Sequence, residues 1–496
     1  MARAIVDTTA GTVRGTIEAG VRRFRGVPYA AAPVGDRRFA APAPAEPWEG
    51  VRDAVDPGPN APHRVKAFPG LDVTPLIGSG WVQGDDYLSA NIWTPEANGG
   101  GRPVMVWIHG GGFVIGSKDV SISDGAAFAR AGLVCFAINY RMGIDGFLPI
   151  PGVPTNLGLR DMIAALQWVR ANAAAFGGDP RNITVFGESA GAMAIADLIA
   201  SPLAKGLFRR AIIQSGHAGM TREIPVMQRL VKKLAKLLRV TPDRAGFASV
   251  APGDALDAVE QISAPTARID LRDSRGHEPM FGLSRFVPVH GDDVLPLQPL
   301  EALRRGAGSD VEVLIGTNAE EMNLFLVPSG VRDKIGGLLA TFLLSRSQPG
   351  ARRVLKAYGL GKHGVKPGQA LTDAMNDLVF RWPARRFAEE HQGRTHMYEF
   401  DWRSPAFKGE LGSCHAVELP FVFDTLATAT GAQGLVGEAP PQQLADRMHR
   451  LWVDFARDGN LPWSPFDREK RLVYSISDGL ARSEPKTTIA IRNDKE

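Results

Sequence analysis

The chain has 496 residues, with 57 Lys and Arg against 53 Asp and Glu, a formal net charge of +4, 44% hydrophobic residues and 22% charged ones. These proportions exclude a disordered or fibrous chain and supply enough apolar surface for a sizeable core. The slight basic excess is spread along the chain with no basic block or RNA-binding aromatic motif, so no nucleic-acid partner is expected. The first residues, Met1 to Asp7, lack the apolar core of a secretory signal, and no stretch is long and apolar enough to span a bilayer. A cytoplasmic location and no membrane partner are therefore expected. Cys135 in an apolar run and Cys414 in a polar one have no zinc spacing, and no disulfide is expected between them.

In chain order, residues 11–15 and 23–30 read as antiparallel strands joined by turns. The Pro-rich residues 41–48 read as an ordered surface loop pinned by Trp48. From Tyr87 onward the pattern changes. Residues 103–108 and 133–140 are continuous apolar runs, as in strands buried on both faces, and residues 161–176 repeat apolar side chains at helical spacing. Further strands are expected at 183–188, 211–214 and 311–315, which predicts an α/β fold with a mostly parallel, doubly wound sheet. Two regions, 217–285 and 322–394, interrupt the alternation and read as the cap and walls of a substrate gorge within one domain spanning 1–496. In the first, Val226, Met227, Leu230, Val231, Leu234 and Leu238 mark one helix face and Arg229, Lys232, Lys233 and Lys236 the other. A helix packed on the body explains that pattern better than a lipid-surface role. No repeat is visible, and neither residues 98–101 nor residues 359–362 complete a phosphate-binding pattern.

The chemistry-bearing stretch is Gly187-Glu188-Ser189-Ala190-Gly191, which follows a β-branched apolar run and precedes a helical one. Strand, sharp turn and helix in that order form a nucleophile elbow: flanking glycines allow close approach, and the serine sits at a helix N-terminus where unpaired N–H groups favour developing negative charge. His109-Gly110-Gly111-Gly112-Phe113 follows a buried strand and suits an oxyanion loop, with Gly111, Gly112 and Ala190 as the expected backbone donors.

These motifs, together with residues 24–30, 91–95, 139–143, 176–180 and 214–216, resemble the type B carboxylesterases, the cholinesterase-like group of the α/β-hydrolase superfamily, particularly its bacterial para-nitrobenzyl-esterase-like members. The resemblance spans nearly the whole chain. It implies a large, mostly parallel sheet flanked by helices, and a Ser189, Glu321, His415 triad in the order expected of this fold. It also implies that Glu320 faces structural partners, that His109 orients the oxyanion loop, and that Glu188 and Ser215 support the triad, Ser215 by a hydrogen bond behind it.

By position, Phe113, Met193, Phe325, Leu419 and Phe421 are candidate pocket walls, each equally readable as a core residue; they suit a hydrophobic acyl or aryl group. The implied activity is cofactor-free and metal-free hydrolysis of small-molecule carboxylic esters through an acyl-enzyme, by a monomer or homodimer, with kcat/KM rising through an apparent pKa of about 6 to 7. A non-catalytic binding protein on the same scaffold, and a hydrolase of amides or carbamates, remain as alternatives. The chain departs from the family pattern at Met162, His290 and Met322, and has Asp85-Asp86-Tyr87 where secreted members carry a cysteine. Met162 and Met322 are expected to reshape the pocket or only to repack it, and His290, where the family commonly has an aspartate, is expected to disturb the usual hydrogen bonding of its loop.

Overall fold

The computed structural model describes residues 2–484 apart from 98, 265 and 277. Asn98 of the Gly-rich run 98–101 and the ends of the expected domain, Met1 and 485–496, lie outside the described residues.

The apolar runs form strands because their backbones pair while side chains on both faces find a core. In chain order the strands are Ala2–Asp7 (β1), Thr12–Glu18 (β2), Val21–Pro28 (β3), Val51–Asp53 (β4), Ser89–Pro95 (β5), Arg102–Ile108 (β6), Val134–Ile138 (β7) and Gly178–Glu188 (β8). Then come Arg210–Gln214 (β9), Arg222–Glu223 (β10), Val289–His290 (β11), Glu312–Asn318 (β12), Thr395–Phe400 (β13), Leu472–Ser475 (β14) and Leu480–Ser483 (β15). All but β10 and β11 lie in one sheet of order β1-β2-β3-β5-β7-β6-β8-β9-β12-β13-β14-β15, with β4 beside β2. β1 to β5 pair antiparallel along this path, whereas β7-β6-β8-β9-β12-β13-β14 are parallel. The expected doubly wound α/β architecture is present. Alternation explains why the parallel strands read as unbroken apolar runs: Val104, Val106 and Ile108 enter one core while Met105 and Trp107 enter the other.

The Pro-rich loop is pinned as expected, with Trp48 Nε1 donating to the Thr12 carbonyl at 2.9 Å. The helix expected at 161–176 begins earlier, at Leu157, and its last turn tightens at Ala173–Phe176 before Gly177 at φ 87°. Gly158 hides that early start from a propensity reading, but a Cβ there would lie 2.4 Å from the Phe147 ring, so close packing requires the glycine. Helix Ile224–Leu238 buries Val226, Met227, Leu230, Val231 and Leu234 in the core and turns its cations outward, as a helix packed on the body does. Both cysteines are buried and free.

Register places the functional loops together. Ile108 pairs with Gly187, Glu188 with Gln214, and Gln214 with Gly316. The segments following β6, β8, β9 and β12 therefore emerge side by side at the carboxyl edge of the parallel strands, where open α/β sheets bind ligands.

Candidate active site

β8 ends at Glu188 and the helix Ala190–Ala200 starts at the next residue but one, so Ser189 alone makes the reversal, at φ 54° and ψ −123°. Such a backbone costs on the order of 1–3 kcal/mol and persists only where its surroundings hold it. Here the Ser189 amide donates to the Gln214 carbonyl at 2.9 Å, and its carbonyl accepts from Met193 at 2.9 Å. A Cβ at Gly187 would lie 2.7 Å from the Ile108 carbonyl oxygen and one at Gly191 only 2.1 Å from it. Both glycines are thus required by the approach of β6.

Beyond β12 the chain turns so that neighbouring carboxylates diverge. Glu321 is buried; its Oε1 accepts from the Asn318 amide at 2.8 Å and its Oε2 lies 2.6 Å from His415 Nδ1. The His415 amide also donates to the Glu321 carbonyl at 3.2 Å. Glu320 faces away, accepting from the Ser413 amide at 2.9 Å and pairing with Arg403.

The other side of the imidazole meets an unexpected neighbour. His415 Nε2 lies 3.0 Å from Glu188 Oε1, and among the described residues no hydrogen bond joins it to Ser189 Oγ. Glu188 Oε1 receives no aligned hydrogen bond, so the contact is one of charge at close range. Burial works to lower the His415 pKa, yet Glu188 and then Glu321 outweigh it and hold the imidazole well above its ordinary value. Gly110 makes room for this carboxylate, since a Cβ there would lie 2.7 Å from Glu188 Oε2.

A third carboxyl group, Glu418, was not singled out from the sequence. It is fully buried, accepting from Asn318 Nδ2 at 2.6 Å and Gln214 Nε2 at 3.1 Å, and burial together with the Glu188 charge pushes its pKa up to about 8. Its place in the stretch that carries His415 was the only sequence sign.

The Gly-rich loop leaves β6 with Gly111 at φ 105° and Gly112 at φ 61°, and a Cβ at Gly111 would lie 2.1 Å from the Ile115 carbonyl oxygen. Among the described residues the amides of Gly111, Gly112 and Ala190 donate to no protein acceptor, and all three residues border one cavity with Ser189 and His415. Ser284, also missed from the sequence, fastens the loop by donating to the Gly112 carbonyl at 2.8 Å. His109 stacks on Tyr140 with centroids 4.5 Å apart and donates from Nδ1 to the Gly110 carbonyl at 2.9 Å. Burial lowers its pKa to about 4, which keeps it neutral.

The cavity encloses about 350 Å³, and its walls are mainly apolar. Met193, Phe325 and Leu419 line it, but Phe113 and Phe421 do not. Phe113, at φ 63°, turns into the core against Phe147, 4.4 Å away. Leu419–Val422 is a helical turn, so Phe421, two residues past Leu419, projects from the far side onto Phe400 and Trp402. The walls that sequence position did not identify include Leu324 and Phe380, both from the 322–394 region, and the Phe325 and Phe380 rings rest 5.4 and 4.9 Å from the His415 ring.

Ser215 also differs from expectation: it is buried at φ 52°, but its Oγ has no hydrogen-bond partner among the described residues. Met162 and Met322 are buried in the core and do not line the cavity, so they repack and do not reshape it. The loop at His290 keeps its hydrogen bonds by other means. Asn156 donates to the Val289 carbonyl and to Asp292, while His290 Nδ1 contacts Thr221 Oγ1 at 3.0 Å.

The model of the carboxylesterase family matches residues 2–488. The chain is 36% identical over 515 residues to the para-nitrobenzyl esterase of Bacillus subtilis (strain 168), covering 100% of this chain and 97% of that protein. It is 35% identical over 500 residues to the phenmedipham hydrolase of Pseudarthrobacter oxydans, covering 96% and 95% of the two chains. A solved structure of PNB esterase superposes with a TM-score of 0.80 at 33% identity, over 98% of each chain. With its α/β-hydrolase fold and full-length match, the chain is a carboxylic ester hydrolase that belongs to the carboxylesterase family.

Proposed function

We propose that the enzyme cleaves carboxylic esters through an acyl-enzyme on Ser189, with His415 as general base and acid, Glu321 as its orienting carboxylate, and the amides of Gly111, Gly112 and Ala190 as the oxyanion hole. The observation that carries this reading is the 2.6 Å contact of His415 Nδ1 with Glu321 Oε2, in a cavity shared by Ser189 and those amides. The carboxylate fixes the tautomer with the proton on Nδ1 and leaves Nε2 to take the Ser189 proton and return it to the leaving alkoxide. For that step Nε2 must exchange Glu188 for Ser189 Oγ, a tightening that catalytic hydrogen bonds commonly undergo when substrate binds.

The apolar walls favour a hydrophobic acyl or aryl ester, and the Bacillus relative's name makes nitrobenzyl esters the first substrates to try. A hydrolysis panel of acyl chain lengths, aryl esters, nitrobenzyl esters and carbamates, run beside organophosphate labelling, tests the reading. Stoichiometric labelling of Ser189 and fastest turnover of an apolar ester are expected; labelling of a different serine would overturn the assignment.

Glu188 sets the pH range of this chemistry. Only neutral His415 can act as base, so kcat/KM should rise with pH through a pKa above the value of about 6.5 of an ordinary histidine. Replacing Glu188 by Gln removes the foremost charge that raises it, and the rising limb should move toward lower pH. Because the folded pKa is raised, the associated stabilisation is present below the unfolded pKa and is lost as pH climbs through the folded one. Melting temperatures taken along the same pH series should fall as activity appears. An unshifted limb in Glu188→Gln would remove Glu188 from this role.

A further inference from the structure

We propose that the outward faces of helices Gly337–Ser345 and Ala351–Ala357 form a docking surface for an anionic lipid membrane. On the first helix Leu338, Leu339, Phe342 and Leu343 are 92%, 47%, 62% and 37% exposed. Positions i, i+1, i+4 and i+5 make one continuous face, so these side chains form an apolar patch. The opposite face is satisfied: Ala340 and Leu344 join Val354, Leu355 and Leu371 in a small core separate from the two flanking the main sheet. Scattered exposed apolar residues need no explanation, but four on one helix face do.

Charge identifies what covers them. Between residues 331 and 366 the only acid is Asp333, although the whole chain carries nearly equal numbers of acids and bases. Lys334, Arg346, Arg352, Arg353, Lys356 and Lys362 are all exposed there. Among the described residues none of the six is held in an ion pair, whereas Arg332 and Lys366 are. Docking of a second copy on the same face would oppose these cations to one another. An anionic leaflet attracts them while its acyl boundary accepts Leu338 and Phe342, the apolar part coming from the uncharged helix Gly337–Ser345 and the basic part from the segments on either side of it. The helix Gly337–Ser345 has 9 residues and no described helix is long and apolar enough to cross a membrane, so the contact is peripheral. It differs from the basic helix Ile224–Leu238, whose apolar face is already buried.

Sedimentation of the full chain with vesicles of phosphatidylcholine alone or with added phosphatidylglycerol tests this without reference to hydrolysis. Binding is expected only with phosphatidylglycerol, and it should weaken as salt is raised. The pair Leu338→Gln and Phe342→Gln should reduce partitioning more than tenfold. Neutralising Arg352, Arg353 and Lys356 to Gln should reduce it roughly fivefold per cation. Hydrolysis of a soluble ester should stay at the wild-type level in both variants, showing that they fold. Equal partitioning onto both vesicle types, no binding to either, or a wild-type dimer that the Leu338→Gln, Phe342→Gln variant dissociates would each overturn the proposal.

Discussion

Ser189→Ala is expected to lose roughly six orders of magnitude in kcat for a soluble aryl ester while keeping its fold. Removing the nucleophile of a serine hydrolase costs about this much, and what remains over water comes from the oxyanion donors and substrate binding. The expectation rests on the elbow. The strained φ of 54° at residue 189 holds the side chain at the cavity, between Glu188, which contacts His415, and Ala190, whose amide donates to no acceptor among the described residues. Alanine carries the same backbone strain as serine at this position, and the amide and carbonyl bonds to Gln214 and Met193 do not involve the hydroxyl. The melting temperature should therefore hardly change. Stopped assays with purified variant, run beside a thermal melt, decide it. Wild-type turnover in Ser189→Ala would remove the nucleophile from the proposed mechanism.

Glu321→Gln should lower kcat by about four orders of magnitude, and Glu320→Gln should not. The loss of the orienting acid leaves nucleophile and oxyanion hole in place, but the wrong imidazole tautomer then faces the serine. An amide at position 321 can still accept from the Asn318 amide through its oxygen, but it then presents N–H to His415 Nδ1 where a proton already sits. The ring must expel that proton or rotate. Glu320 makes a different set of contacts. Its ion pair with Arg403 is partly exposed, the Glu320 and Arg403 side chains being 21% and 57% accessible, and is worth about 1 kcal/mol or less. The amide of Glu320→Gln can still accept from Ser413. Kinetics and melts on both variants separate the two roles: collapsed turnover in Glu320→Gln beside near-normal turnover in Glu321→Gln would place the acid one residue earlier.

The features legible in the sequence were local. Gly187 and Gly191 are legible because the strand, turn and helix pattern around Ser189 lies within a few consecutive residues, although the atom that leaves no room for a Cβ, the Ile108 carbonyl oxygen, belongs to β6. The parallel strands are legible because burial on both faces demands unbroken apolar runs, as in Val104–Ile108 and Val134–Ile138. Pairing Glu321 with His415 already needed a resemblance, since the two lie 94 residues apart and no periodicity links them. The remaining features depend on how distant segments pack. Whether Phe113 and Phe421 meet the cavity or the core follows from how their backbones turn among neighbours distant in sequence, which chemical type does not disclose. The charge state of His415 and Glu418 likewise depends on three carboxyl groups from separate segments converging where water is excluded, and only packing brings Glu188, Glu321 and Glu418 together. The exposure of Leu338 and Phe342 follows the same logic: an apolar helix face is read as core from sequence alone, and only the packed molecule shows on which side the core lies.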